Sequence, residues 1–153
     1  NVVAEKYNMP VILSTHPRTR KKMIEKGFKT HPLIRLQKPF GFLDYINLQI
    51  NSKVVLSDSG TITEELSILN FPALNLRETH ERQEGMEEAS VMMVGLEAPR
   101  IILGIDILKS QTKGNNRLLN IVPDYNVPNV SQKVLRIILS YTDYINKTVW
   151  KKN

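Results

Sequence analysis

Cysteine is absent from the 153-residue chain, which excludes disulfides, thiolate metal sites and thiol nucleophiles. Histidine occurs three times, at the scattered positions His16, His31 and His80. Without cysteine these offer no spacing that a metal would use, so no metal and no cofactor is expected. No apolar run approaches the roughly 20 residues that span a bilayer. The opening residues Asn1-Val2-Val3-Ala4-Glu5-Lys6 lack the charge order and apolar core of a secretion signal. A cytoplasmic protein that makes no membrane contact is the expectation. Internal repeats and low-complexity tracts are also missing, as is an initial methionine, and a chain that starts in mid-pattern is expected to be a fragment.

The composition that remains is ordinary. Hydrophobic residues at 41% and charged residues at 24% match the average for soluble globular domains and exclude disordered and fibrous classes. The length fits one domain with one core. A formal charge of +6 favours anionic partners. Its densest source is Arg18, Arg20, Lys21, Lys22 and Lys26 on one predicted helix. No aromatic residues interleave that run as base-stacking platforms would, so nucleic acid is not the expected partner.

Apolar, β-rich runs recur at Val11-Ile12-Leu13, Leu33-Ile34-Arg35-Leu36, Val54-Val55-Leu56, Ala73-Leu74-Asn75-Leu76 and Val91-Met92-Met93-Val94. Helical patterns separate them at 17–26, 43–51, 61–69, 84–89 and 100–109, the first opened by Pro17 and stopped by Gly27. Short unalternating strands between helices imply a doubly wound α/β domain, a Rossmann-like parallel sheet covered on both faces. Ligands of such domains bind beyond the carboxyl ends of the strands. The turns at His16, Ser59 and Arg77 to Arg82 all follow strands and are expected to share one edge. Residues 110–128 read as a loop. From Val130 to Trp150 apolar residues recur at three- and four-residue steps and predict one long amphipathic helix. That stripe packs either on this domain's own sheet or, through Tyr141, Tyr144 and Trp150, on something further.

The most informative stretch is Ser57-Asp58-Ser59-Gly60-Thr61-Ile62-Thr63-Glu64-Glu65. A strand delivers the backbone to a tight turn, Gly60 permits close approach of a ligand, and the first N–H groups of the next helix point outward. Ser59 adds a hydroxyl, and Glu65 can turn a carboxylate toward two ribose hydroxyls, as the acidic residue of dinucleotide folds does. The same residues also describe an ordinary helix start with acidic first-turn residues that suit its dipole. His16 can donate to phosphate, move a proton or bond locally in its turn. Arg77 and Arg82 can fork onto a diphosphate or pair with Glu78, Glu81 or Glu84. Tyr45 can face a ligand or pack in the core.

Asp58-Ser59-Gly60-x-Ile62-x-Glu64-Glu65, followed by a strand and then Arg77-x-x-x-Glu81-Arg82-x-Glu84, resembles the carboxy-terminal domain of the non-hydrolysing UDP-N-acetylglucosamine 2-epimerases. The likeness runs from the Ser14-Thr15-His16-Pro17-Arg18 turn to the last helix and covers about half of such an enzyme. It implies the C-terminal half of a two-domain, GT-B-type epimerase, with a UDP-binding domain over 1–129 and a helix over 130–153 that crosses toward a missing N-terminal domain. Carried over by motif, Ser59, Gly60 and Thr61 contact the diphosphate, Glu65 the ribose, Tyr45 lies near uracil, Arg82 contacts the nucleotide, and His16 lies in the cleft and serves activity. Arg18, Glu64 and Arg77 are supporting positions. Two departures stand out: Thr61 replaces a second glycine, and Gln83 stands where many members have proline.

The resemblance further implies binding of UDP and a UDP-N-acetylhexosamine, inversion at C2, and a homodimeric full enzyme whose acid and base carboxylates lie mostly on the missing half. The fragment alone is expected to bind without turnover. The segments Leu69-Asn70-Phe71-Pro72-Ala73-Leu74-Asn75, Gly85 to Met93, and Pro128-Asn129-Val130-Ser131 look like the branch that makes UDP-N-acetyl-L-fucosamine for capsule or O-antigen. Two rival readings are a GT-B glycosyltransferase domain and a non-catalytic nucleotide- or nucleic-acid-binding module. The Glu81-Arg82-x-Glu84 segment argues against the first.

Overall fold

Strands and helices alternate along the chain, as its apolar pattern predicts. The computed structural model describes residues 1–79 and 81–152, so His80 lies outside the described residues. Their order is α1 (Val2–Tyr7), β1 (Val11–Ser14), α2 (Pro17–Glu25), β2 (Ile34–Gln37), α3 (Phe42–Asn51), β3 (Val55–Ser57), α4 (Ile62–Leu69), β4 (Ala73–Asn75), α5 (Gln83–Glu87), β5 (Met92–Met93), α6 (Ala98–Leu108), a 3-10 turn (Pro123–Tyr125) and α7 (Val130–Thr148). Every strand pairing is parallel.

The strands divide into two sheets, β1-β2 and β3-β4-β5, where the sequence predicts one. A doubly wound sheet runs 3-2-1-4-5-6. The two observed sheets fit the 3-2 and 4-5-6 parts of that order, and no described strand stands between β1 and β3. Val11 and Thr15 donate to Leu33 and Gln37 of the β2 side, while Val55 donates to Pro72 and Ser57 accepts from Leu76 on the β4 side. Backbone groups alternate in direction along a strand, so those of Ile12 and Leu56 face the open edges.

β4 is the centre of the larger sheet, and all three of its residues are buried. Successive side chains leave a strand on opposite faces. Ala73 accordingly joins Ile62, Leu66, Phe71 and Val91 on the α4 side. Leu74 joins Val94 and Ile105 on the α6 side, with Val3 and Tyr7 packed alongside. Helices on both faces make this part doubly wound. The segment between α6 and α7 is a loop, as predicted, and is pinned to the end of α4. Asn70, left-handed at that helix end, donates to the carbonyls of Gly114 and Asn116, and the Ser67 hydroxyl accepts from the Val122 N–H at 3.0 Å.

Helix α1 is not foreseen by the sequence pattern. Asp106 of α6 anchors it, accepting from Lys109 just past the end of that helix at 2.6 Å, from Lys6 at 3.0 Å and from the Tyr7 hydroxyl at 2.9 Å. Helix α7 forms where expected, yet none of its residues is buried. In its apolar stripe Ile137, Tyr141 and Tyr144 are more than half exposed.

The donors around Asp106, Lys109 first and then Lys6 and Tyr7, hold its carboxyl well below the usual carboxylate range. A depressed folded-state pKa contributes stability that is present above the unfolded value of about 4 and is lost as pH falls. Acid unfolding of the wild type is therefore expected to steepen below about pH 4 relative to Asp106→Asn. Superimposable pH profiles of stability would show that this clamp carries no linkage.

Candidate functional site

The site forms where β3 ends and α4 begins. Pairing with β4 brings β3 out of the sheet at Ser57, and the Ser57 hydroxyl accepts from the Ser59 N–H at 3.1 Å. That bond turns the chain. The Ser59 and Thr61 hydroxyls lie 2.9 Å apart, and the Ser59 oxygen accepts from the Thr61 N–H at 3.3 Å. Thr61 then donates its hydroxyl to Glu65 Oε1 at 2.9 Å. The result is a continuous chain of short polar contacts from the strand end to the second glutamate. Two backbone N–H groups of this turn, those of Ser59 and Thr61, are thereby already engaged by side-chain oxygens.

The other oxygen of Glu65 is held from α3. Gln49 donates Nε2 to Oε2 at 2.5 Å, and Tyr45, one helical turn earlier on the same face, stands close by. Burial raises the pKa of the half-buried Tyr45 phenol first, and the Glu65 charge raises it further, against hydrogen bonding from Gln49 and Ser57. Tyr45 is therefore a neutral hydroxyl across the physiological range. Tyr45, Ser59, Thr61 and Glu65 thus lie together at the end of β3.

Glu64 points elsewhere, because neighbouring residues on a helix diverge by about 100°. It accepts from Arg82 Nε at 2.6 Å, and that hydrogen bond, followed by the Glu64 charge, raises the Arg82 pKa. Glu64 is thus a support, tying α4 to the start of α5, and Arg82 reaches the site already engaged by a carboxylate. Beside them Tyr125 donates to Glu84 at 2.7 Å; burial first, then Glu84, pushes the Tyr125 phenol well above its ordinary value. Arg77 pairs with Glu81 at 3.2 Å. That pair flanks the turn: a Cβ on Gly60 would stand at ordinary van der Waals distance, 3.4 Å from Glu81 Oε2 and 3.8 Å from Arg77.

His16 and Arg18 belong to the other sheet. His16 caps α2, its Nδ1 accepting the Arg18 N–H at 3.3 Å, so its local role is realised. In the neutral ring the proton then sits on Nε2. Both residues are exposed, and among the described residues no hydrogen bond or ion pair links either to the β3–α4 turn. The same sequence reading misses Gln49. Its signal is an amide four residues after Tyr45 on the core side of an otherwise apolar helix face. No group of three or more acidic or histidine residues placed to hold a metal occurs among the described residues, and no described helix is long and apolar enough to cross a membrane.

Parallel strands with helices on both faces define the class of doubly wound α/β domains, and the acidic, hydroxyl-lined helix start lies at the carboxyl end of a strand, the edge where such domains take ligands. The chain belongs to the UDP-N-acetylglucosamine 2-epimerase family, whose model matches residues 1–139. It is 35% identical over 121 residues to the UDP-N-acetylglucosamine 2-epimerase of Methanococcus maripaludis, covering 76% of this chain and 33% of that protein. Among solved structures, the Rickettsia bellii UDP-N-acetylglucosamine 2-epimerase superposes with a TM-score of 0.87 at 46% identity, over 98% of this chain and 41% of that one. The Methanocaldococcus jannaschii enzyme, solved in complex with UDP-GlcNAc and UDP, gives 0.77 at 27% identity over 90% of this chain and 38% of that one. The α/β class with parallel strands is borne out, and the chain spans a smaller share of its relatives than the half that the motifs imply.

Two outcomes follow from this geometry. Glu65→Gln is expected to move the Tyr45 ionisation down toward the ordinary value of about 10, read by NMR of labelled tyrosine; no movement would place the Glu65 charge elsewhere. Gly85 of α5 packs so closely that a Cβ there would stand 2.1 Å from Thr63 Cγ2. Gly85→Ala is expected to cost about 1–3 kcal/mol in chemical denaturation, and an unchanged midpoint would contradict the close approach of α5 to α4.

Proposed function

We propose that this chain is the UDP-binding part of a UDP-N-acetylhexosamine 2-epimerase. The observation that carries the reading is the hydrogen-bonded run from Ser57 through Ser59 and Thr61 to Glu65 at the carboxyl end of β3. In this reading Ser59, Gly60 and Thr61 receive the diphosphate at the start of α4, Glu65 takes the ribose hydroxyls, and Tyr45 lies beside the base. Arg82, tied to Glu64, presents its guanidinium to the nucleotide, with Arg77 in support. His16 and Arg18 border the same cleft from the β1 side, and His16 Nε2–H is the group available there as a donor.

The reaction inverts C2 in two stages. A base removes the C2 proton while the bond from C1 to the diphosphate oxygen breaks, leaving UDP and a glycal-type intermediate. The proton then returns to the opposite face of C2 as the diphosphate oxygen re-forms its bond to C1. Negative charge grows on the departing diphosphate, and donors aimed there stabilise it. The carboxylates that move the C2 proton belong to a second, amino-terminal domain in a GT-B arrangement. The exposed apolar stripe of α7 supports residues 130–153 as the segment that crosses to it, and the full enzyme is a homodimer.

The segments 69–75, 85–93 and 128–131 support the branch that forms UDP-N-acetyl-L-fucosamine from its talosamine epimer, for capsule or O-antigen in the cytoplasm. Assay of the full-length enzyme with both UDP-sugars decides the substrate. A glycosyltransferase would share the helix start but not the Glu81-Arg82-x-Glu84 segment, and the family match weighs against it. A nucleic-acid module would lose polynucleotide binding steeply with salt and show no competition by UDP.

Calorimetric titration of the full-length protein with UDP, UMP and uridine tests the reading. Binding is expected to weaken as phosphates are removed. Glu65→Ala is expected to weaken UDP by about 10- to 100-fold, the loss of hydrogen bonds to a charged acceptor. UDP binding indifferent to both changes would overturn the assignment.

A further inference from the structure

Gln49 sits at 2% exposure on the helix face it shares with Tyr45, whose hydroxyl it also meets. Its Nε2 donates to Glu65 Oε2. Its Oε1 is buried and has no hydrogen-bond partner among the described residues. Buried amides are ordinarily satisfied at both ends. A methionine would fill the same space with no polar atom to satisfy, so packing does not account for glutamine here. Its donor does.

The two adjacent glutamates are held by different chemistry. Glu64 is paired with the cationic Arg82. Among the described residues Glu65 is held by neutral groups, with Thr61 on Oε1 and Gln49 on Oε2. A carboxylate oxygen accepts two hydrogen bonds, so one acceptor position remains on each oxygen. Neutral donors on both sides fix the plane of the carboxylate without cancelling its charge. What remains is a pair of strong, pre-aimed acceptors, and the complementary ligand is a pair of vicinal hydroxyls. Thr61 alone leaves the carboxylate free to rotate about the bond to Oε1.

We propose that Gln49 is a positioning residue which, by clamping Glu65, sets the preference of this site for a ribonucleoside diphosphate over its 2′-deoxy form. The inference rests on the reading of Glu65 as the ribose ligand. Gln49 acts through the carboxylate and makes no contact with the nucleotide itself.

The test measures binding of UDP and 2′-deoxy-UDP to the full-length enzyme as wild type, Gln49→Met, Gln49→Glu and Glu65→Ala. The wild type is expected to favour UDP by about tenfold or more, one lost hydrogen bond to a charged acceptor. Gln49→Met is expected to weaken UDP by about tenfold and 2′-deoxy-UDP by less than about twofold, so that the preference collapses. Loss of packing would instead weaken both nucleotides together. Gln49→Glu can donate to Glu65 only when the pair shares a proton, so its preference for UDP is expected to recover on acidification, which the wild type does not show. A ribose preference retained in Gln49→Met, or a Gln49→Glu preference that does not change with pH, overturns the role of Gln49 and leaves that of Glu65 standing. A wild type without ribose preference and insensitive to Glu65→Ala overturns the Glu65 reading itself.

Discussion

The register of β3 against β4 is the constraint on which the rest depends. Val55 pairs with Ala73 and Ser57 with Asn75, and this fixes the residue at which the chain leaves the sheet. A slip of one residue would send every side chain of β3 to the opposite face. The turn that starts α4 would then be displaced from Gln49 of α3 and from Arg82 at the start of α5, the groups that hold Glu65 and Glu64. Burial of β4 on both faces makes such a slip costly, because Ala73 and Leu74 serve two separate apolar clusters. The polar turn is thus held in place by a strand that is itself wholly buried.

From that turn outward, the helix period distributes labour among adjacent acids. Glu64 and Glu65 differ by about 100° around α4, and this alone sends one toward the cation of α5 and the other toward the amide and phenol of α3. The first ties two helices together. The second is held by neutral donors among the described residues, beside a neutral tyrosine. A site for an anionic ligand that also places a carboxylate close by separates the two functions by geometry. Here the separation is built from consecutive residues.

Most of this was legible in the amino-acid order where the governing forces are local. The five strands and six of the helices fall within a few residues of their apolar runs, since period and punctuation are written along the chain. Helix α1 was not legible, because six residues are too few to display a period and its hold on Asp106 spans about a hundred residues. Pairing between strands is likewise non-local, so the division into two sheets could not be read from the runs themselves. Arg82 bonds Glu64, eighteen residues away, a partner that the local candidates Glu78, Glu81 and Glu84 did not include. Gln49 escaped for a different reason. One amide on an apolar face belongs to no motif, and its meaning depends on which carboxylate folds against it.

The open edges of β1 and β3 have a consequence beyond the site. Ile12 and Leu56 turn their backbone groups toward the space between the two sheets, and on β1 the side chains of Ile12 and Leu13 are 48% and 39% exposed. An unpaired parallel edge with apolar flanks is a template for any extended segment that arrives. Handled with those edges bare, the molecule would recruit strands from its own copies, edge against edge. Its colloidal behaviour would then follow two short stretches of main chain, and its surplus of positive charge would matter less than whether those stretches are covered.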